Sequence, residues 1–120
     1  MENTLEEYAG NWELIDLDTG EDLFAPVEGH PVTLQLSGDG AISGSTGCNR
    51  IVGDFSVGPG GKLYIGPLGQ TRMYCGGAVG RLEAALIGAF ERVDRIRFEE
   101  GVLVLRGPGA ALRWCPASSS

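Results

Sequence analysis

A chain of 120 residues with 42% hydrophobic content reads as one folded domain, large enough for a buried core and too apolar for a disordered chain. Its formal net charge of −7 excludes nucleic acid, which is held by clustered Lys and Arg, and argues against an anionic membrane surface. No run approaches the roughly 18 apolar residues of a membrane helix, so no membrane insertion is expected; twenty glycines and six prolines favour short strands over long helices.

Residues 1–9 read as a lead-in. Thr4-x-x-Glu7 matches a capping box and predicts a helical turn there. The acidic start has no apolar stretch of the kind a signal peptide needs, so the chain as written reads as cytoplasmic, or as extracytoplasmic if a leader has been removed. Residues 12–17 form the first predicted strand. Its apolar residues fall on both parities, Trp12 and Leu14 against Ile15 and Leu17, so both faces are expected to be covered. A loop with scattered apolar residues spans 20–31. Residues 32–37 alternate cleanly, with Val32, Leu34 and Leu36 inward, and Gly38-Asp39-Gly40 turns the chain into a return strand over 41–45.

The densest stretch runs from Gly47 to Cys75. Ile51, Gly53, Phe55 and Val57 share one face of the next strand, and Gly53 signals a bulge or a close backbone approach. Gly58-Pro59-Gly60-Gly61 is hairpin punctuation, and Leu63 and Ile65 continue the alternation until Pro67. The period then switches. Val79, Leu82, Leu86 and Phe90 form one stripe of a helix of about three turns near residues 77–91. Strand signals resume at 95–99, with Ile96 and Phe98 inward, at 102–105 and at 112–114, with turns at Glu100-Gly101 and Gly107-Pro108-Gly109. Residues 116–120 read as a disordered tail. Seven or eight short antiparallel strands and one helix predict a mainly β fold: a strongly curved sheet or partly open barrel, with the helix packed over its open side.

Cys48 and Cys75 bracket the hairpin. Two states remain open: a disulfide closing a loop of about 28 residues, worth roughly 3–4 kcal/mol by loop entropy, or two buried thiols, the default in a reducing compartment. Cys115 reads as a small core or edge residue. A metal site would have to draw on Cys48, Cys75, Cys115 and His30, whose spacing matches no metal motif, so no metal and no cofactor is expected. His30 could serve Cys48 as a base, but its place before Pro31 reads as a solvent-exposed loop. Glu6-Glu7 and Glu99-Glu100 read as solvated charges. No catalytic residue is assigned. Asn49 and Thr71 suit backbone capping in their turns. Alternatively, Asn49, Arg50, Thr71 and Arg72 form a polar patch at one barrel end, where the arginines offer an acidic ligand bidentate partners.

Trp12 before an acidic turn, Gly44-x-x-Gly47-Cys48-Asn49-Arg50, Gly53 and Phe55, Leu63-x-Ile65-Gly66-Pro67-Leu68 and Thr71-Arg72-Met73-x-Cys75 together resemble the META-domain family, that of the bacterial heat-shock protein HslJ. The resemblance covers residues 10–115. It implies a half-open β-barrel carrying one helix, with a fold similar to lipid-binding pilotins of secretion systems. Family members are associated with stress tolerance, antibiotic resistance, motility and secretion, and the family has no established catalytic activity. Many members are exported or lipid-anchored; the chain as written shows neither a leader nor a lipobox. The expected function is therefore a monomeric, non-enzymatic binding or stress-associated module for a protein, peptide or lipid partner. The alternative is a small thiol-dependent enzyme or redox protein using Cys48 or Cys75. The family pattern also sets the two cysteines at the edges of residues 67–74, a segment that must fold back for them to meet.

Overall fold

The computed structural model describes residues 4–117. The chain enters through a short 3-10 helix, Thr4–Tyr8. The predicted helical turn is there, but the lead-in is part of the domain: Tyr8 is buried in the core and Leu5 packs against it. Residues 1–3 and 118–120, the outermost parts of the expected lead-in and tail, lie outside the described residues.

Ten strands follow in one antiparallel sheet: β1 (Gly10–Asp18), β2 (Leu23–Phe24), β3 (Thr33–Leu36), β4 (Ala41–Ser45), β5 (Arg50–Gly58), β6 (Lys62–Ile65), β7 (Gly69–Gln70), β8 (Arg95–Glu99), β9 (Val102–Gly107) and β10 (Ala110–Pro116). The helix α1 (Gly77–Phe90) is inserted between β7 and β8. Eight strands follow one another in the order β1-β3-β4-β5-β6-β8-β9-β10, and β10 pairs back onto β1, so their hydrogen bonds run in a ring. The narrowest joint lies between β6 and β8, where Lys62 opposite Arg95 is the only register pair. Two two-residue strands, β2 beside β1 and β7 beside β5, come from segments that read as loop and turn.

Strand β1 explains its own mixed parity. Its register against β10 slips between Leu14 and Asp16, a bulge that moves the inward face by one residue. Trp12, Leu14 and Leu17 are therefore all buried while Ile15 is only half-buried, so the strand has one core face and not two covered ones. Pro116 also departs from the expected tail: it ends β10 opposite Trp12, and the Ala117 N–H bonds the Asn11 carbonyl at 2.9 Å.

The core lies inside the ring, and α1 contributes Leu82, Leu86, Ala89 and Phe90 to it. The Phe90 and Trp114 rings stack with centroids 6.4 Å apart. Phe98 was expected inward; it is half in solvent, its ring against Tyr8 at 5.5 Å and Trp12 at 6.0 Å. The N-terminal 3-10 turn thus supplies the surface that partly covers Phe98. The β8–β9 hairpin turns through Glu100 and Gly101, both at positive φ, in the pattern that matches strand twist.

Gly53 marks a close approach, not a bulge. The β4–β5 register runs through it unbroken. A Cβ there would lie 2.8 Å from Leu68 Cδ2 and 3.1 Å from the Pro67 carbonyl oxygen. The chain after β6 therefore crosses directly over β5, which carries residues 69–75 back towards Cys48.

Candidate functional site

The four residues 46–49 form the turn between β4 and β5, closed by the Thr46 N–H to the Asn49 carbonyl at 2.8 Å. The Thr46 hydroxyl oxygen accepts the N–H groups of Cys48 at 3.2 Å and Asn49 at 2.9 Å, a hydroxyl turn that satisfies donors inside the loop. Gly47 sits at φ +93°, with the His30 carbonyl 3.0 Å from where a Cβ would be, so a side chain is unfavourable there on both counts. His30 is exposed, as read from sequence, and its Nδ1 lies 3.2 Å from the Gly47 carbonyl.

Asn49 is the centre of the arrangement and is only 3% exposed. Its Nδ2 donates to the Met73 carbonyl at 3.0 Å and to Glu83 Oε2 at 2.8 Å. Its Oδ1 accepts the Met73 N–H at 2.6 Å and the Thr71 hydroxyl at 2.9 Å. The Thr71 hydroxyl oxygen in turn accepts the Arg50 N–H at 2.9 Å, and the Thr71 N–H bonds the Arg50 carbonyl at 3.1 Å. Glu83 Oε2 also lies 2.9 Å from the Thr46 hydroxyl, tying α1 to the same turn. Cys48 and Cys75 close the arrangement as a disulfide, with Cα atoms 6.1 Å apart, within the usual span of such bonds.

Asn49 and Thr71 are thus brought together facing inward, their polar atoms already used. Arg50 and Arg72 are exposed, and among the described residues neither guanidinium has a hydrogen-bond or ion-pair partner. Sequence reasoning missed two members of the network. Thr46 could have been found from its place three residues before Asn49, the spacing of a hydroxyl turn. Glu83 carried no such signal; it sits off the apolar stripe of α1 and reads as a solvated helix residue. The exposed pair after Arg72 was also missed: Met73 is 62% exposed and Tyr74 94% exposed. Residues 71–75 therefore stand as a ridge, pinned beneath by Asn49 and at one end by the disulfide, with Arg72, Met73 and Tyr74 outward.

Cys115 is half-buried on β10 opposite Glu13. Among the described residues no three His, Cys, Asp or Glu side chains converge in a metal-binding arrangement. No helix in the described residues is long and apolar enough to cross a membrane.

A ring of antiparallel strands, one inserted helix and a disulfide-pinned turn define a small β-rich domain of a recurrent type. A solved NMR structure of a protein from Burkholderia xenovorans is similar, with 27% identity, a TM-score of 0.76, and 98% of this chain matched to 90% of that one. A second NMR structure matches at 23% identity and TM-score 0.68, over 91% of this chain and 92% of the other. A DUF4847-family protein from Bacteroides vulgatus shares the fold at 12% identity and TM-score 0.64, over 93% of this chain and 95% of its own. No curated protein matches the sequence. The META-domain family model matches residues 3–119, and the chain belongs to the META-domain family, a stress-associated domain family of unclear function.

Proposed function

We propose that this chain is a non-enzymatic binding module that engages a protein or peptide through the ridge at residues 71–75, in a role linked to stress or antibiotic tolerance, motility or secretion. The observation that carries the reading is Tyr74, 94% exposed on a segment fixed from below by Asn49 and the disulfide. Tyr, Met and Arg are the residue types enriched at protein interfaces, and a pre-ordered segment loses little conformational freedom on binding. Arg50 and Arg72 add charged donors beside the apolar pair. The Cys48–Cys75 bond supports work in an oxidising compartment, hence outside the cytoplasm. It also argues against a thiol nucleophile at either position, since neither sulfur is free.

The test is a pull-down from the native organism with the wild type and a Met73→Ser, Tyr74→Ser variant side by side. The expected result is a partner enriched by the wild type and lost with the variant, both proteins being folded. The same partner on both would overturn the reading. So would an iodoacetamide titration showing a Cys48 or Cys75 thiol in the isolated protein that reacts well below the pH range of an ordinary cysteine.

A further inference from the structure

The outer face of β6, β8 and β9 breaks a pairing rule. Lys62 stands opposite Arg95, and Arg95 stands opposite Arg106, so three cationic side chains share one cross-strand row. Like charges directly opposite one another destabilise a sheet. The chain carries sixteen acidic residues against nine basic ones, so such a row is not a product of composition. A local conflict of this kind, kept in an otherwise consistent fold, is where a functional site is expected.

The row borders a cleft of about 350 Å³, with Arg95, Arg97 and Arg106 on its walls and Val104, Gly107 and Pro108 among its lining. Val104 alternates with the core residues Leu103 and Leu105 and so belongs to the outer face, yet it is 1% exposed. Arg97 and Arg113 flank it across the ladder, and their aliphatic stems are placed to cover it. The acidic groups nearby are Asp94, on the cleft wall, Glu99, Asp18, whose charge acts on Arg106, and Asp16, which holds Arg113 at 2.7 Å. Glu99 accepts from Arg97 Nε at 2.8 Å and from Arg106 Nε and Nη2 at 3.2 Å each. That leaves the terminal nitrogens of Arg97 without a partner among the described residues, while Arg95 Nη1 reaches only the Gly60 carbonyl at 3.3 Å. The Arg106 fork is taken by Glu99. The donors left for a ligand are the remaining terminal nitrogen of Arg106, the terminal nitrogens of Arg97 and the rest of the Arg95 guanidinium. Charged N–H groups of this kind over a dry floor suit an oxyanion.

We propose that this cleft is an anion-binding site for a compact ligand bearing phosphate-class oxyanions, held between Arg95 and Arg106 with Lys62 at the end of the row. Strands lie about 4.8 Å apart, so the backbone positions of the three cationic residues span on the order of 10 Å, comparable with a short run of phosphate groups. The net charge of −7 works against an extended polyanion, whose remaining length would meet a repelling surface. The site shares no residue with the ridge at 71–75.

Amide NMR spectra of the full chain, titrated with tripolyphosphate at constant ionic strength, test the proposal. Saturable shifts are expected at Arg95, Arg106 and Gly107, with inorganic phosphate, the single-group source, binding the same residues at least tenfold more weakly. Arg95→Gln should weaken tripolyphosphate binding at least tenfold, and Arg72→Gln, on the ridge, should leave it unchanged. If Arg95→Gln does not fold, Arg97→Gln carries the same expectation. Non-saturable shifts, shifts spread over all basic residues, or unchanged affinity in the folded cleft variant would overturn the assignment.

Discussion

Replacing Asn49 with Ala removes the side chain that joins three separate pieces of chain. Four of its hydrogen bonds go to the Met73 N–H and carbonyl, the Thr71 hydroxyl and Glu83 Oε2. A net hydrogen bond contributes about 0.5–1.5 kcal/mol, and one to a charged group contributes more. Thr71 and Met73 lie on an exposed segment, where water can replace part of what is lost. The expected cost is therefore about 3 kcal/mol, a large share of the stability of a domain this size. Urea unfolding followed by fluorescence should show it as a lower midpoint with little change in slope. A loss under about 1 kcal/mol would mean that Asn49 is not the fastener described. Asn49→Asp is the matched control, because it keeps the acceptor oxygens and faces Glu83 with a second carboxylate. The repulsion between the two carboxylates and the loss of the Asn49 amide donors should leave this variant less stable than the wild type at neutral pH.

Three further outcomes follow from the same geometry. Leu86→Ala, at a site with 0% exposure in the middle of the α1 stripe, should cost roughly 2–5 kcal/mol through the cavity it leaves; a loss under about 1 kcal/mol in chemical denaturation would mean the stripe is not the packed face. Cys48→Ser with Cys75→Ser opens a loop with a sequence separation of 27 and should cost roughly 3–4 kcal/mol by the loop-entropy estimate; an equal thermal midpoint for the variant and the oxidised wild type would contradict it. Hydrogen bonds from Arg106 and then Arg97 hold the Glu99 carboxyl below the ordinary value of 4.5. Its folded-state pKa is the lower one, so its contribution is present above pH 4.5 and is lost as pH falls through the depressed value. Glu99→Gln should flatten stability against pH in that acid window, and an unchanged slope would count against the network.

Strands such as β3, β5 and β6 and the helix α1 were legible because each carries a clean period, two for the strands and 3.6 for the helix, while β9 was read from a short, continuous apolar run. Helix α1 spans Gly77–Phe90, within a residue of its expected bounds. What escaped was set by contacts distant in sequence. Strands β2 and β7 are two residues each and have no period to read. The bulge in β1 could be seen only as mixed parity, which also fits a strand covered on both faces. Phe98 shares the parity of Ile96, but it stacks on Tyr8 from the other end of the chain. At the candidate site, Asn49 and Thr71 stood out from their turn chemistry, which is also the role the structure gives them. Tyr74 did not stand out, because an exposed aromatic and a core aromatic look alike in a sequence, and only the fold-back over Gly53 turns it outward. The basic row was invisible for a similar reason: Lys62, Arg95 and Arg106 lie far apart along the chain and meet only through strand pairing.

Residues 71–75 form a fixed ridge and not a loose loop. Hydrogen exchange of the oxidised protein, read at the Met73 amide, tests it most directly. That N–H donates to Asn49 Oδ1 at 2.6 Å although its own side chain is exposed. Slow exchange is expected at Met73 in the wild type, lost in Asn49→Ala, beside a freely solvated Tyr74 ring. Exchange at Met73 as fast as in an unstructured peptide, with the disulfide intact, would contradict it.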